Sequence, residues 1–113
     1  MSATDWIREF PASITVCDAE GRILAMNEAA ARVFAADGGA ALVGRNVLDC
    51  HPEPARTKLV ELLRSGRINA YTIEKQGRKK LIYQAPWTVG GELQGLVELS
   101  VELPAELPHF VRT

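Results

Sequence analysis

Residues 48–54 read LDCHPEP, which sets a thiol (Cys50), an imidazole (His51) and two carboxylates (Asp49 and Glu53) within a few positions of one another. A thiolate and a neutral imidazole are the usual metal ligands and the usual nucleophile and base, so the residue types suit a ligand site. A plainer reading is a helix start. Pro54 loses nothing in a first helical turn, where its missing N–H has no partner to find, and Glu53 suits the positive end of the helix dipole. In that reading His51 is a hydrogen-bonding cap and Cys50 a small apolar residue. Neighbours in sequence rarely aim their side chains at one another, so a Cys-His enzyme is not expected from Cys50 and His51.

Other catalytic patterns are missing. The sequence has no serine in a matched His and Asp context, no phosphate-cradling glycine loop, no paired carboxylates and no His-Glu-x-x-His. Its two cysteines, Cys17 and Cys50, do not stand at zinc-site intervals from His51 and His109, and a reducing compartment keeps them as thiols. A binding protein, not an enzyme, is expected.

The bulk properties agree. At 113 residues, 47% hydrophobic and 24% charged, the chain suits one globular domain. A formal net charge of −1 lacks the positive field that drives direct nucleic-acid binding. The start, MSATDWIREF, reads neither as a signal peptide nor as a membrane span, so a cytoplasmic protein with no membrane contact is expected.

The elements that must position the candidate residues follow from periodicity. Trp6, Ile7 and Phe10 form an apolar stripe on a short helix ended by Pro11. SITVCD and RILAM flank AEG, whose Gly21 can take a positive φ, and predict a hairpin. Asn27 caps a short helix over EAAARVF, with Ala30, Val33 and Phe34 on one face. AADGGAALVGRN predicts a loose turn that closes with Leu42 and Val43 on the core. Ala55, Leu59, Leu62 and Leu63 predict a helix over residues 54–64 that stops at Gly66.

The last third changes period. Strands are predicted over residues 69–75 and 80–87 around QGRK, and a third follows GGE, where Val97, Leu99, Val101 and Leu103 alternate with Glu98, Ser100 and Glu102. Lys75, Arg78, Lys79 and Lys80 make a basic hairpin tip that solubilises a turn and guards a strand edge. The tail PAELPHFVRT, with two prolines, is expected to stay out of the sheet. Two strands, a helical middle and three hairpin-linked strands give an α+β fold with an antiparallel sheet and its helices on one face.

SITVCDAEGRILAMNEAA, LVGRNVLDCHPE and GELQGLVELSVEL, in that order, resemble a PAS domain, the small sensory fold of signalling proteins. The likeness runs from about residue 10 to residue 103. It implies a five-stranded antiparallel sheet with helices on one face and a cavity between them. The expected division is an N-terminal helix over residues 1–12, a PAS domain over 13–103 and a tail over 104–113.

The resemblance also implies a small ligand or cofactor of unknown identity, with His51, Cys50, Met26, Tyr71, Tyr83 and Trp87 as the candidate cavity residues. Tyr83 and Trp87 share a strand face with Leu81, which is expected to be the helix-covered face. Haem-binding members take their proximal histidine from this region, so His51 is the metal ligand if haem is bound. Light sensors of the superfamily carry a reactive cysteine after Gly-Arg-Asn, whereas Gly44, Arg45 and Asn46 are followed here by Val47, so a flavin adduct is not expected. Trp6, Ile7 and Phe10 are the candidate dimer interface.

The expected role, in signal transduction or transcription regulation, is a sensor reporting through a homodimer or a signalling partner. The alternatives are a ligand-free interaction module with a filled core, and a haem-based gas or redox sensor. Cavity size separates the first two.

Overall fold

The computed structural model describes residues 5–113; residues 1–4 of the expected N-terminal segment lie outside the described residues. Five strands form one antiparallel sheet: β1 Ser13–Asp18, β2 Ile23–Met26, β3 Asn69–Lys75, β4 Arg78–Val89 and β5 Glu92–Leu103. Their spatial order is β2-β1-β5-β4-β3, so the two ends of the sequence meet where β1 pairs with β5. The helices are α1 Asp5–Arg8, α2 Glu28–Val33 and α3 Ala55–Ser65, with single 3-10 turns at Ala35–Asp37, Gly39–Leu42 and Val47–Cys50.

The hairpins form where their turn residues dictate. Gln76 and Gly77 both have positive φ between Lys75 and Arg78, as do Gly90 and Gly91 between Val89 and Glu92. Consecutive positive-φ residues match the twist of the flanking strands and allow a two-residue loop. Strands β4 and β5 therefore run to the very edge of their turns. Pro86 is tolerated within β4 because β3 begins at Asn69, opposite Gln84, so Pro86 has no β3 partner on that side.

Asn27 organises the front of the domain. Its Oδ1 accepts from the backbone N–H of Ala30, capping α2, and from that of Ile14 in β1, each at 3.0 Å. Its Nδ2 donates to the carbonyls of Ala12 at 2.8 Å and of Ile7 at 3.1 Å, which ties α1 to the same point. The side chain is buried, and its bonds to Ala12 and Ala30 are made out of reach of water.

The apolar core is small. Cys17, Leu59, Leu63 and Leu96 form its centre, where α3 packs on β1 and β5, with Val47 and Leu48 against them. Two expected core residues are not in it: Val33 and Val43 are 46% and 44% exposed, whereas Ala30 and Leu42 are buried. Both segments are too short to wrap, since α2 spans six residues and Leu42 ends a 3-10 turn, so each buries one contact and leaves its neighbour in solvent.

Candidate functional site

The inner face of the sheet carries one transverse row drawn from every strand. The register pairs Asn69 of β3 with Gln84 of β4, Gln84 with Glu98 of β5, Glu98 with Thr15 of β1, and Thr15 with Met26 of β2. Side chains alternate along each strand, so these five residues share one face. Its middle is polar. Asn69 Nδ2 donates to Gln84 Oε1 at 2.8 Å, and the Gln84 side chain hydrogen-bonds the Glu98 carboxylate.

Above this row the helices do not close. A cavity of 140 Å³ lies between the sheet and the helical segments, with Ile23, Met26, Phe34, Leu42 and Val47 as apolar walls and Thr15, Glu98 and His51 as its polar end. Asp37 and Cys50 also line it. Adjoining spaces of 200 and 310 Å³ open on the β3–β4 side, and Glu98 lines both of them as well. Glu98, at the middle of the central strand, is common to them all.

His51 is placed by local structure. Asn46 caps the Val47–Cys50 turn through the backbone N–H of Leu48, and the turn brings the Val47 carbonyl within 2.6 Å of His51 Nδ1. A carbonyl only accepts, so Nδ1 carries the hydrogen and Nε2 is left for another partner. Glu53 sits outside the cavity, accepting from the Thr57 hydroxyl and from the Thr57 backbone N–H at 2.7 Å in the first turn of α3, and these bonds lower its pKa. LDCHPEP is thus both a helix entrance and a cavity wall.

The structure corrects two candidate residues. Tyr83 and Trp87 do not line the cavity, because Ile82 and Gln84 are the β4 residues turned toward the helices and Tyr83 and Trp87 alternate with them onto the opposite face. The Trp87 indole instead donates to the Cys17 carbonyl at 3.0 Å. His51, Met26 and Cys50 line the cavity as expected in position, with Cys50 exposed. Tyr71 lies on the inner face but borders the adjoining spaces, and it is 44% exposed. Burial raises the pKa of its phenol. Trp6 and Phe10 pack edge to face, with ring centroids 5.9 Å apart, and both are exposed, while Ile7 is half-buried.

Glu98, Thr15, Gln84 and Asn69 are the site residues that the alternation rule missed. That rule assigns the apolar set Val97, Leu99 and Val101 to the covered face, and the structure turns that set outward. A usable signal was the row itself, since laying out the hairpins opposite one another aligns Asn69, Gln84 and Glu98.

Burial raises the pKa of Glu98 above the ordinary glutamate range, with Gln84 and His51 pulling the other way. Such a carboxyl binds its proton more tightly folded than unfolded, so below the unfolded value, about 4.3, its burial costs least. As pH climbs from there through the folded value, ionisation favours the unfolded chain and stability falls. Glu98→Gln is expected to flatten that decline and to raise the Tm at pH 7 relative to the wild type. Calorimetric melts of both proteins at pH 4 and pH 7 check this; a Tm gain of Glu98→Gln over the wild type that does not grow from pH 4 to pH 7 would contradict it.

Thr15 contributes a different kind of signal. Among the described residues, its Oγ1 is a buried side-chain oxygen with no hydrogen-bond partner. A buried hydroxyl without a partner costs about 1–3 kcal/mol, and this one lies at the polar end of the cavity.

His51 Nε2 would be the group to hold a haem iron, but the 140 Å³ cavity beside it is about the volume that holds one benzene-sized molecule, and the Glu98 carboxylate shares that space. Val47 puts an alkyl side chain on the cavity wall where the light sensors have their cysteine. The buried Cys17 thiol, its pKa raised by burial, lies in the apolar cluster.

Known proteins agree with this architecture. A family profile described as a PAS fold matches residues 7–105, and the chain belongs to that family of sensory domains. Among solved structures, a C-terminal domain from Streptococcus mutans is 26% identical, with a TM-score of 0.69 over 85% of this chain and 78% of that one. The PAS domain of BvgS from Bordetella pertussis is 25% identical, with a TM-score of 0.59 over 87% of this chain and 81% of that one. The PAS domain of nitrogen regulation protein NR(II) from Vibrio parahaemolyticus is 18% identical, with a TM-score of 0.59 over 91% of this chain and all of that one, and shares the fold. A comparison with curated proteins finds no match. No helix among the described residues is long and apolar enough to cross a membrane.

Proposed function

We propose that this PAS domain is a ligand sensor, not a catalyst: a small molecule enters the cavity beside Glu98, and its occupancy changes how α1 is held. The observation that carries the reading is the polar end of that cavity, where a half-buried carboxylate and an orphaned Thr15 hydroxyl stand against apolar walls. Polar groups without partners in a sheltered space cost stability unless an occupant satisfies them, and apolar pockets with a few convergent polar groups are the usual form of a small-molecule site.

A route to output is built into Asn27. Phe34 lines the cavity just after α2, and Asn27 caps α2 while holding the Ile7 carbonyl of α1. An occupant that shifts α2 therefore changes the packing of Trp6, Ile7 and Phe10. We assign that stripe and the apolar outer face of the sheet to a homodimer or a signalling partner. The filled-core adapter is less well supported, because the cavity is open and its polar end is unsatisfied.

The test is a thermal-shift screen of one-ring fragments against the wild type and Phe34→Trp, which fills the cavity. An occupant at a hundredfold excess over its Kd adds about 2.7 kcal/mol, or a Tm rise of about 10 °C for a domain of this size. We expect such rises for the wild type and not for the filled variant. A blank screen, with native mass spectrometry finding no retained molecule, would favour the adapter.

A further inference from the structure

We infer that the occupant is a small organic cation, an ammonium or similarly protonated nitrogen carried on a compact apolar or aromatic body. The inference rests on the sensor reading above and names its ligand class. The ionisable side chains on the cavity wall are Asp37, Glu98, His51 and the Cys50 thiol; the lining contains no lysine or arginine. An anion entering here meets two carboxylates and no fixed positive charge to offset them. Lys58, Lys75 and Lys80 border only the adjoining spaces on the β3–β4 side.

The hydrogen-bonding inventory points the same way. His51 Nδ1 is committed to the Val47 carbonyl, so in the neutral ring Nε2 can only accept. Glu98 takes one bond from Gln84 and, as a carboxylate, has acceptor sites to spare. Thr15 Oγ1 adds a hydroxyl with no partner. The Glu98 carboxylate, the Thr15 hydroxyl and a neutral His51 all offer acceptors at this end, and an ammonium brings three N–H donors and no acceptor. Burial makes the ionised Glu98 costly when alone, and a cation beside it removes that cost.

The remaining walls select the body of the molecule. Ile23, Leu42 and Val47 are aliphatic, while the Phe34 ring and the Met26 sulfur favour an aromatic or cationic neighbour. A volume of 140 Å³ accommodates one six-membered ring.

Benzylamine, benzyl alcohol and benzoate, alike in size and differing in charge, form the test set. Isothermal titration at pH 7.5 is expected to give benzylamine a Kd at least tenfold below that of the alcohol, with benzoate weakest. Glu98→Gln should bring benzylamine to within twofold of the alcohol, while Asp37→Asn, at the exposed mouth, should cost benzylamine a smaller factor. Equal or tighter binding of the alcohol or benzoate overturns the cation assignment and leaves the sensor reading standing. Binding by none of the three overturns the assignment too, and the fragment screen then decides whether the sensor reading falls with it.

Discussion

Asn27→Ala is expected to destabilise the domain by roughly 3–5 kcal/mol, because it strands two backbone donors and two acceptors at one stroke. The backbone N–H groups of Ile14 and Ala30 lose their acceptor, and the carbonyls of Ala12 and Ile7 lose their donor. Typical domains have only about 5–15 kcal/mol in hand, so the Tm should fall by about 15 °C or more. Asn27→Asp separates the two halves of this junction. Its first oxygen keeps the bonds from Ile14 and Ala30, while its second replaces the donor that faced the Ile7 and Ala12 carbonyls. Hydrogen exchange should then show protection kept in α2 and lost near α1. Protection lost equally from both would mean that α1 is not held through this side chain.

Gly95→Ala is the second change with a large expected effect, about 3 kcal/mol or more. A Cβ at this position would run into the Cys17 carbonyl and lie 2.8 Å from the Asp18 backbone, and neither is a flexible side chain that could step aside. Relief requires β1 to move off β5, and with it the carbonyl that accepts from the Trp87 indole. Urea denaturation followed by tryptophan emission reads both consequences: a lower midpoint, and a changed Trp87 environment before unfolding begins. A midpoint within 1 M of the wild type would show that the strands absorb the methyl group, since 1 M of urea corresponds to about 1–3 kcal/mol.

The architecture could be read in advance where a single residue type enforces a local geometry. Gly21, with a φ of 90°, makes the first turn, and Asn27 caps α2 as its side chain requires. Gly66, left-handed, ends α3 one residue later than the periodicity suggested. The strand ends were underestimated at Arg78 and Val89, because charged and turn-adjacent residues look like loop until the two-residue turns are known.

What could not be read was which face of β4 and β5 the helices cover. Alternation establishes that Leu81, Tyr83 and Ala85 stand together, but not which way they point. The usual assumption that the apolar set goes inward failed, because the interior of this domain holds a polar row and the apolar set is left half-exposed outside. His51, Cys50 and Met26, which the resemblance put forward, line the cavity. Glu98 was missed, because its neighbours come from strands distant in sequence: Gln84 is 14 positions off and Thr15 is 83.

A row that takes one side chain from every strand has an evolutionary corollary. The groups that would meet a ligand sit within the strands, whereas the fold is specified at turns and caps. Exchanging Thr15, Gln84, Glu98 or Asn69 rewrites the chemistry of the chamber without disturbing a hairpin. Under the sensor reading proposed above, descendants of such a domain change what they detect one letter at a time while the scaffold is inherited intact.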